Sequence, residues 1–334
     1  MKDFIKGLDL SESFFNEYGL PVIQQNYPGL KFSAGRITAG SDIIGYDDLV
    51  STDHNWGPGF MIFLEECDIY LRDELQDVFA KNLPCSYKEY NVSTNSVWIC
   101  TVKEVTDMYI GEMPQNDTDW LTISEHRLLG LTSGRIFIDM LNVQEIRNRL
   151  SFYPQDVKLY LIASQWSVIA REEAFVKRCA QVGDELGSRI VCTHIAERLM
   201  RLCFLYKNRY APYSKWFGTA FRQLSLDNIY EEITAAVSAN TIEEREDHIL
   251  NAQILTVELH NICGITEPLE IKVWDYGRDA KIISADNFAV KVREKISNPE
   301  LKNCRLIGSM SQIGNLNHLW DNPQNRGNIY QLYN

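Results

Sequence analysis

Long apolar runs are missing from this chain. None approaches the roughly 20 residues that a membrane-spanning helix needs, so no membrane association is expected. The N-terminal stretch MKDFIKGLDLSESFF has two lysines but neither a long apolar core nor a small-residue cleavage site. No secretory signal is therefore expected, and a cytoplasmic location is the expectation. The eight cysteines form no Cys-x-x-Cys pair and have no histidine at zinc spacing. A disulfide scaffold and a zinc module are thereby excluded, and reduced, buried thiols such as Cys100 and Cys203 are expected. Basic charge is also scarce, with 33 Lys and Arg against 45 Asp and Glu and a net charge of −12. Phosphate backbones are held by Lys and Arg that displace counterions, so a nucleic-acid partner is disfavoured. Repeats and low-complexity segments are absent as well.

What remains is the composition of a folded protein, 45% hydrophobic and 23% charged over 334 residues, long enough for two or three packed units. SESFFNEYGLPVIQQNY predicts a helix closed by Pro28-Gly29, and LKFSAGRITAG a short strand ending at Gly40. FMIFL reads as a buried strand, CDIYLRDELQDVFAKNLP as a helix, SVWICTV and GRIFID as strands, and SEHRLLGL as a helix. This is a small mixed α/β domain over residues 1–150. Long helices follow. DVKLYLIASQWSVIAREEAFVKRCAQ predicts one, DELGSRIVCTHIAERLMRLCFLYKN a second, and LDNIYEEITAAVSA a shorter one. Another runs from a capping box at Thr241 and Glu244 to Gly264. These make a helical bundle over residues 151–265. Residues 266–334 return to short strands (IKVWDY, AKIIS) and one helix, a C-terminal α/β extension. The expected class is α+β: a small mixed-sheet domain, an α-helical bundle and a short α/β tail.

The chemistry concentrates in AGSDIIGYDDLVSTDHNWGPGFMIFL, residues 39–64. Gly40-Ser41 after a strand is suited to a triphosphate, because glycine lets the backbone approach and the serine N–H and hydroxyl donate to phosphate oxygens. Asp53 and Asn55, one residue apart before FMIFL, would share a face at strand periodicity and converge on a divalent ion, with His54 turned away. Oxygen ligands suit Mg²⁺ or Mn²⁺, which can activate an attacking hydroxyl and neutralise a leaving pyrophosphate.

Gly-Ser followed a dozen residues later by Asp-x-Asp resembles the nucleotidyltransferase superfamily with the polymerase-β-like core. STDHNWGP, VGDELGSR and YAPYSKWFGTAF together resemble an uncharacterised bacterial domain family within it, over nearly the whole chain. The architecture is similar to that of kanamycin-type antibiotic nucleotidyltransferases. The resemblance implies a nucleotidyltransferase domain before the bundle, and transfer of a nucleoside monophosphate from an NTP, ATP in the first instance, to a hydroxyl of a small-molecule acceptor. Catalytic and metal roles fall to Asp53, Asn55 and a third carboxylate, Asp139; the nucleotide would lie against Gly40, Ser41 and Lys215. Two departures stand out: Asn55 replaces the pattern's second Asp, and Gly59 stands where an Arg is usual. An amide oxygen can ligate but brings no charge, so a nucleotide-binding pseudoenzyme is the alternative. Asp47 and Asp48 in the preceding loop could supply the missing charge.

Each remaining candidate has a structural alternative. Asp139 could cap the turn after its strand, and Glu172 and Glu173 are fallback bases. Lys215 lies among Tyr210, Tyr213 and Trp216, which could wall a ligand or simply pack. Asp184, Glu185 and Arg189 could line a cleft or start a helix. Arg189 and His194 also match the Arg-x4-His spacing of helical-domain ribonucleases, although His194 falls in the apolar series Ile190, Val191, Ile195, Leu199, where a core or boundary histidine is commoner. The acceptor could equally be a protein Tyr or Ser, and neither oligomeric state nor the preferred NTP is legible.

Overall fold

The computed structural model describes residues 4–52 and 56–304. It divides into two compact units, Met1–Met113 with Ile123–Ser151, and Pro114–Thr122 with Phe152–Asn334. The class is α+β, with a small mixed sheet in the first unit and helices dominating the second.

The first unit opens with helix α1 (Gly7–Phe14), which passes through a π-helical turn at Phe15–Gly19 into α2 (Leu20–Asn26). Strands β1 (Phe32–Arg36) and β2 (Phe60–Leu64) follow, then α3 (Arg72–Asn82), the hairpin β3 (Ser86–Tyr87) and β4 (Tyr90–Asn91), β5 (Val97–Thr101) and α4 (Val102–Ile110). After α5 (Asp117–Leu121), which belongs to the second unit, the chain completes the first with α6 (Glu125–Thr132), β6 (Arg135–Asp139) and α7 (Val143–Arg149).

The sheet order is β5-β2-β1-β6, with β1 antiparallel to both neighbours and β2 parallel to β5. Alternation assigns its faces. Phe32, Ala34, Phe60, Ile62, Val97 and Ile99 pack with Leu10, Phe14, Phe15, Leu75 and Phe79 from the helices of the N-terminal half. On the other face Phe63 meets Val105, Leu131 and Val143. With both faces covered, FMIFL is apolar at every position, as a strand buried on two sides must be. The β1–β6 ladder slips at Ala34/Gly35. Gly35 is required there, because a Cβ would stand 2.6 Å from the Arg135 carbonyl oxygen.

In the second unit α10 (Glu185–Tyr206) packs against α8 (Gln155–Glu172), α9 (Phe175–Gln181) and α13 (Ile242–Cys263). Helices α11 (Ser214–Arg222) and α12 (Asp227–Ser238) complete the bundle. The Thr241/Glu244 capping box and the left-handed C-cap at Gly264 bound α13. The single helix expected over residues 156–181 is two. Glu173, at the break, turns its buried carboxylate to accept from the backbone N–H groups of Ile283 (3.0 Å) and Ala285 (3.2 Å). That contact fixes the tail to the bundle: a hairpin of β7 (Trp274–Asp275) and β8 (Lys281–Ile282), then α14 (Ala285–Glu294) lying along α8, and α15 (Pro299–Asn303).

All eight cysteines are free. Cys100, Cys192, Cys203 and Cys304 are buried as expected, but Cys67, Cys85 and Cys263 are exposed and Cys179 is intermediate. No helix of the described residues is long and apolar enough to cross a membrane.

Candidate functional site

One edge of the sheet carries a cleft of about 430 Å³. The C-terminal end of β1 meets the N-terminal ends of β2 and β5 there, because β1 runs antiparallel to β2 and β2 parallel to β5. Met61 and Trp98, cross-strand partners, lie at its base with Tyr109 of α4, and Asn91, Ser93, Asn95 and Ser96 form a polar wall. Ser93 and Ser96 are locked as a reciprocal capping box. Among the described residues lining the cleft, Arg36 is the only charged side chain.

Beyond Arg36 the backbone is forced into an unusual path. Thr38 has φ +97°, an outlier for a β-branched residue. Its N–H donates to the Gly130 carbonyl (3.0 Å), and Gly130 admits that approach because a Cβ would stand 2.1 Å from the Thr38 oxygen. Gly40 has φ +146°, and a Cβ on it would fall 2.2 Å from Asp42 Oδ1. The turn is tied by N–H bonds from Tyr46 to the Ser41 carbonyl (2.8 Å) and from Gly134 to the Ile43 carbonyl (2.9 Å). Glycine at 40 is therefore a steric requirement, and strain of this kind is held at such sites by its surroundings.

Two buried carboxylates anchor the turn. Asp42, 1% exposed, accepts from Arg36 Nε at 2.6 Å and so sets the guanidinium. Its Oδ1 has no hydrogen-bond partner among the described residues. Asp47, 2% exposed, accepts from the Gly7 N–H (2.7 Å) and Trp56 Nε1 (3.0 Å) and pairs with Lys6. Asp47 thus ties the start of α1 to the loop through Oδ2, while its Oδ1 faces the Lys6 ammonium at 3.3 Å. Asp48 accepts from the Val50 and Ser51 N–H groups and closes a local turn.

The expected site residues separate as follows. Gly40 and Ser41 sit in this turn, directly after the lining residues Thr38 and Ala39. Asp53, His54 and Asn55 lie outside the described residues; the strand they precede begins at Phe60. Gly59 lines the cleft, and a Cβ there would stand 3.1 Å from Arg36 Nη1. Asp139 takes its capping alternative: Oδ1 accepts from the Val143 N–H (2.7 Å) and Ser33 Oγ (3.0 Å), and Oδ2 from the Gln144 N–H (2.9 Å). It pairs with Ser33, near the start of β1, whereas Gly40 follows the end of β1. Strand direction thus puts the two at opposite edges of the sheet.

The candidates on the second unit are mostly structural. Lys215 is exposed on α11, its ammonium 5.0 Å above the Trp216 ring. Tyr210 is buried edge-on to Tyr153 (5.0 Å), which meets Trp120. Asp184 caps α10 through the Gly187 N–H (2.8 Å), and Glu185 joins Arg189 to the wholly buried Arg245. His194 is exposed rather than a core histidine, 3.6 Å from Glu172. Burial raises the Glu173 carboxyl to about 7, but its oxygens are engaged as described above.

Sequence reasoning overlooked Arg36, Asp42, Trp98 and the Asn91–Ser96 wall. The available signal was local: an arginine and an aspartate flank TAGS, an arrangement that can pair across a turn.

Residues 120–217 match a domain of unknown function, DUF4037. No curated protein matches the chain. Among solved structures it is similar to a nucleotidyltransferase-like protein from Exiguobacterium sibiricum 255-15, at 13% identity and a TM-score of 0.36, over 86% of this chain and 88% of that one. A likeness that loose says nothing about chemistry.

Proposed function

We infer that the first unit binds a nucleoside triphosphate at the sheet-edge cleft and transfers its nucleoside monophosphate to a hydroxyl of a small molecule. The observation that carries this reading is the Gly40–Ser41 turn beside Arg36. A strained, glycine-dependent turn is held on a buried carboxylate, and that carboxylate also aims the only described cation of the cleft. Backbone N–H groups in such a turn and a guanidinium are what phosphate oxygens need.

In this reading Gly40 and Ser41 take the β- and γ-phosphates, and Arg36 neutralises charge that grows on the leaving group. Asp53 and Asn55 would hold Mg²⁺ or Mn²⁺, a hard ion suited to oxygen donors, which when bound polarises the phosphate and lowers the pKa of the hydroxyl. Asp42 Oδ1, buried with unused acceptor capacity, is the described oxygen nearest in kind to that donor set. The acceptor oxygen attacks the α-phosphorus, the bond to the bridging oxygen breaks, pyrophosphate leaves and the hydroxyl proton passes to solvent. Asp139 keeps its capping task, and Lys215 is a second candidate cation. Asn55 favours a second reading, nucleotide binding without turnover.

Calorimetric titration of ATP, GTP, CTP and UTP, with and without Mg²⁺, on this chain and on Asn55→Asp tests both. Magnesium-dependent binding by this chain with pyrophosphate release in the presence of hydroxyl acceptors supports transfer. Binding here with release only by Asn55→Asp supports the pseudoenzyme. No binding by either protein overturns the nucleotide reading.

A further inference from the structure

The cleft has two chemically distinct walls that meet over a glycine. A Cβ at Gly59 would stand 3.1 Å from Arg36 Nη1 and 2.9 Å from the Ser96 carbonyl oxygen, so both walls close on one point that only a hydrogen leaves open. The cationic wall has been described. The half-buried Trp98 indole, also in the lining, makes no ring pair or hydrogen bond among the described residues, although the cleft is large enough for a nucleotide-sized ligand. The side-chain amides of Asn91 and Asn95, exposed on the rim, likewise make no hydrogen bond among the described residues. An unpaired indole face beside two amides, each with a donor and an acceptor, matches a planar heterocycle with a hydrogen-bonding edge. No described lining residue carries a carboxylate, despite a net charge of −12. A polycationic amine would therefore find no carboxylate among the described lining residues, whereas a neutral ring joined to an anionic tail suits a lining whose one described charge is the Arg36 guanidinium.

We propose that Trp98, Asn91 and Asn95 form the base subsite of the cleft, with Trp98 stacking on the nucleobase and the two amides reading its edge. They are thereby the residues that set which NTP is preferred. The proposal rests on the nucleotide reading of the cleft, and its test separates the two.

Magnesium complexes of the four NTPs and of inorganic tripolyphosphate, which has no base, are titrated into the native chain, Asn91→Ala, Asn95→Ala, Trp98→Leu and Trp98→Phe. The expected result is that Trp98→Leu weakens all four NTPs roughly tenfold while leaving tripolyphosphate unchanged, and that Trp98→Phe restores most of the loss. The asparagine variants, at exposed positions that do not threaten folding, should narrow the ratio between the preferred and the other NTPs by about fivefold. If no NTP binds the native chain or Asn55→Asp, the nucleotide reading itself fails and the base subsite falls with it. If NTPs bind but the ratios are equal at the outset or survive the asparagine variants, the base subsite alone is overturned. Equal weakening of tripolyphosphate and NTPs by Trp98→Leu also overturns it, since that is the mark of a structural residue.

Discussion

Acid should reach the bundle through His260. Trp166 Nε1 donates to Tyr206 Oη (3.0 Å), which lies 3.2 Å from His260 Nδ1; His260 Nε2 is 2.9 Å from Thr266 Oγ1, and that hydroxyl donates to the Glu267 carbonyl (2.7 Å). Since both ends donate in a fixed sense, the imidazole must accept at Nδ1 and donate at Nε2, and the neutral form satisfies every member. A second proton on Nδ1 would leave the Tyr206 hydroxyl without an acceptor. Burial accordingly pushes His260 from its ordinary 6.5 down to about 4. That displacement corresponds to about 3 kcal/mol of stability, at roughly 1.4 kcal/mol per tenfold change in proton affinity. The folded value is depressed, so the contribution is complete above pH 6.5 and is lost as pH falls from 6.5 towards 4. Glu173 works in the opposite sense. Burial raises it from 4.5 to about 7, so its contribution is complete below pH 4.5 and is lost as pH rises from there to about 7. The two nearly cancel in the native chain, whose urea stability should change little between pH 4.5 and 6.5 on their account. In Glu173→Gln the histidine is unopposed, and stability should fall by about 2–3 kcal/mol from pH 6.5 to 4.5 relative to the native chain. Urea unfolding followed by far-UV circular dichroism, which reports this helical unit, measures it. Parallel pH profiles for the two proteins would refute the Glu173 assignment, and a Glu173→Gln profile that stays flat between pH 6.5 and 4.5 would refute that of His260.

Other outcomes are equally open to measurement. Gly40→Ala places a methyl carbon 2.2 Å from Asp42 Oδ1 at a φ of +146°, so it should lower the thermal midpoint of the first unit and abolish NTP binding; an unchanged melt would show the turn to be soft. Asp139→Ala removes the carboxylate that accepts from the first turn of α7 and should cost about 1–2 kcal/mol in urea unfolding. It should leave NTP affinity unchanged, and a loss of affinity would restore Asp139 to the site. Arg245→Ala removes a buried side chain and leaves the Ser188 hydroxyl without that partner, and should destabilise the bundle by about 1–3 kcal/mol, whereas an unchanged urea midpoint would mean the guanidinium is readily replaced by water.

Local rules made much of the fold legible. Thr241 and Glu244 announced the start of α13 because a capping box needs nothing beyond four neighbouring residues. FMIFL announced a doubly covered strand because a run without a polar position has no solvent face to offer. The break at Glu173 was not legible, since the groups that draw its carboxylate away lie about 110 residues further on, at Ile283 and Ala285. Helix α4 went unread although Thr101 and Glu104 form a capping box of the same kind; it follows β5 without a turn, and the apolar run hides the change of period.

The same division governs the candidate site. Sequence alone determined that Gly40-Ser41 is the glycine turn to look at, that no apolar run approaches the length of a membrane-spanning helix, and that acidic residues outnumber basic ones, because composition and a dipeptide's backbone freedom belong to the chain before it folds. Only the tertiary structure decided that Arg36 is aimed by Asp42, that Trp98 and the Asn91–Ser96 wall share the cleft with it, and that Asp139 lies at the opposite edge of the sheet. Strand direction and order bring residues 36, 59 and 98 together and separate 40 from 139, and no spacing along the chain encodes which end of a strand faces which.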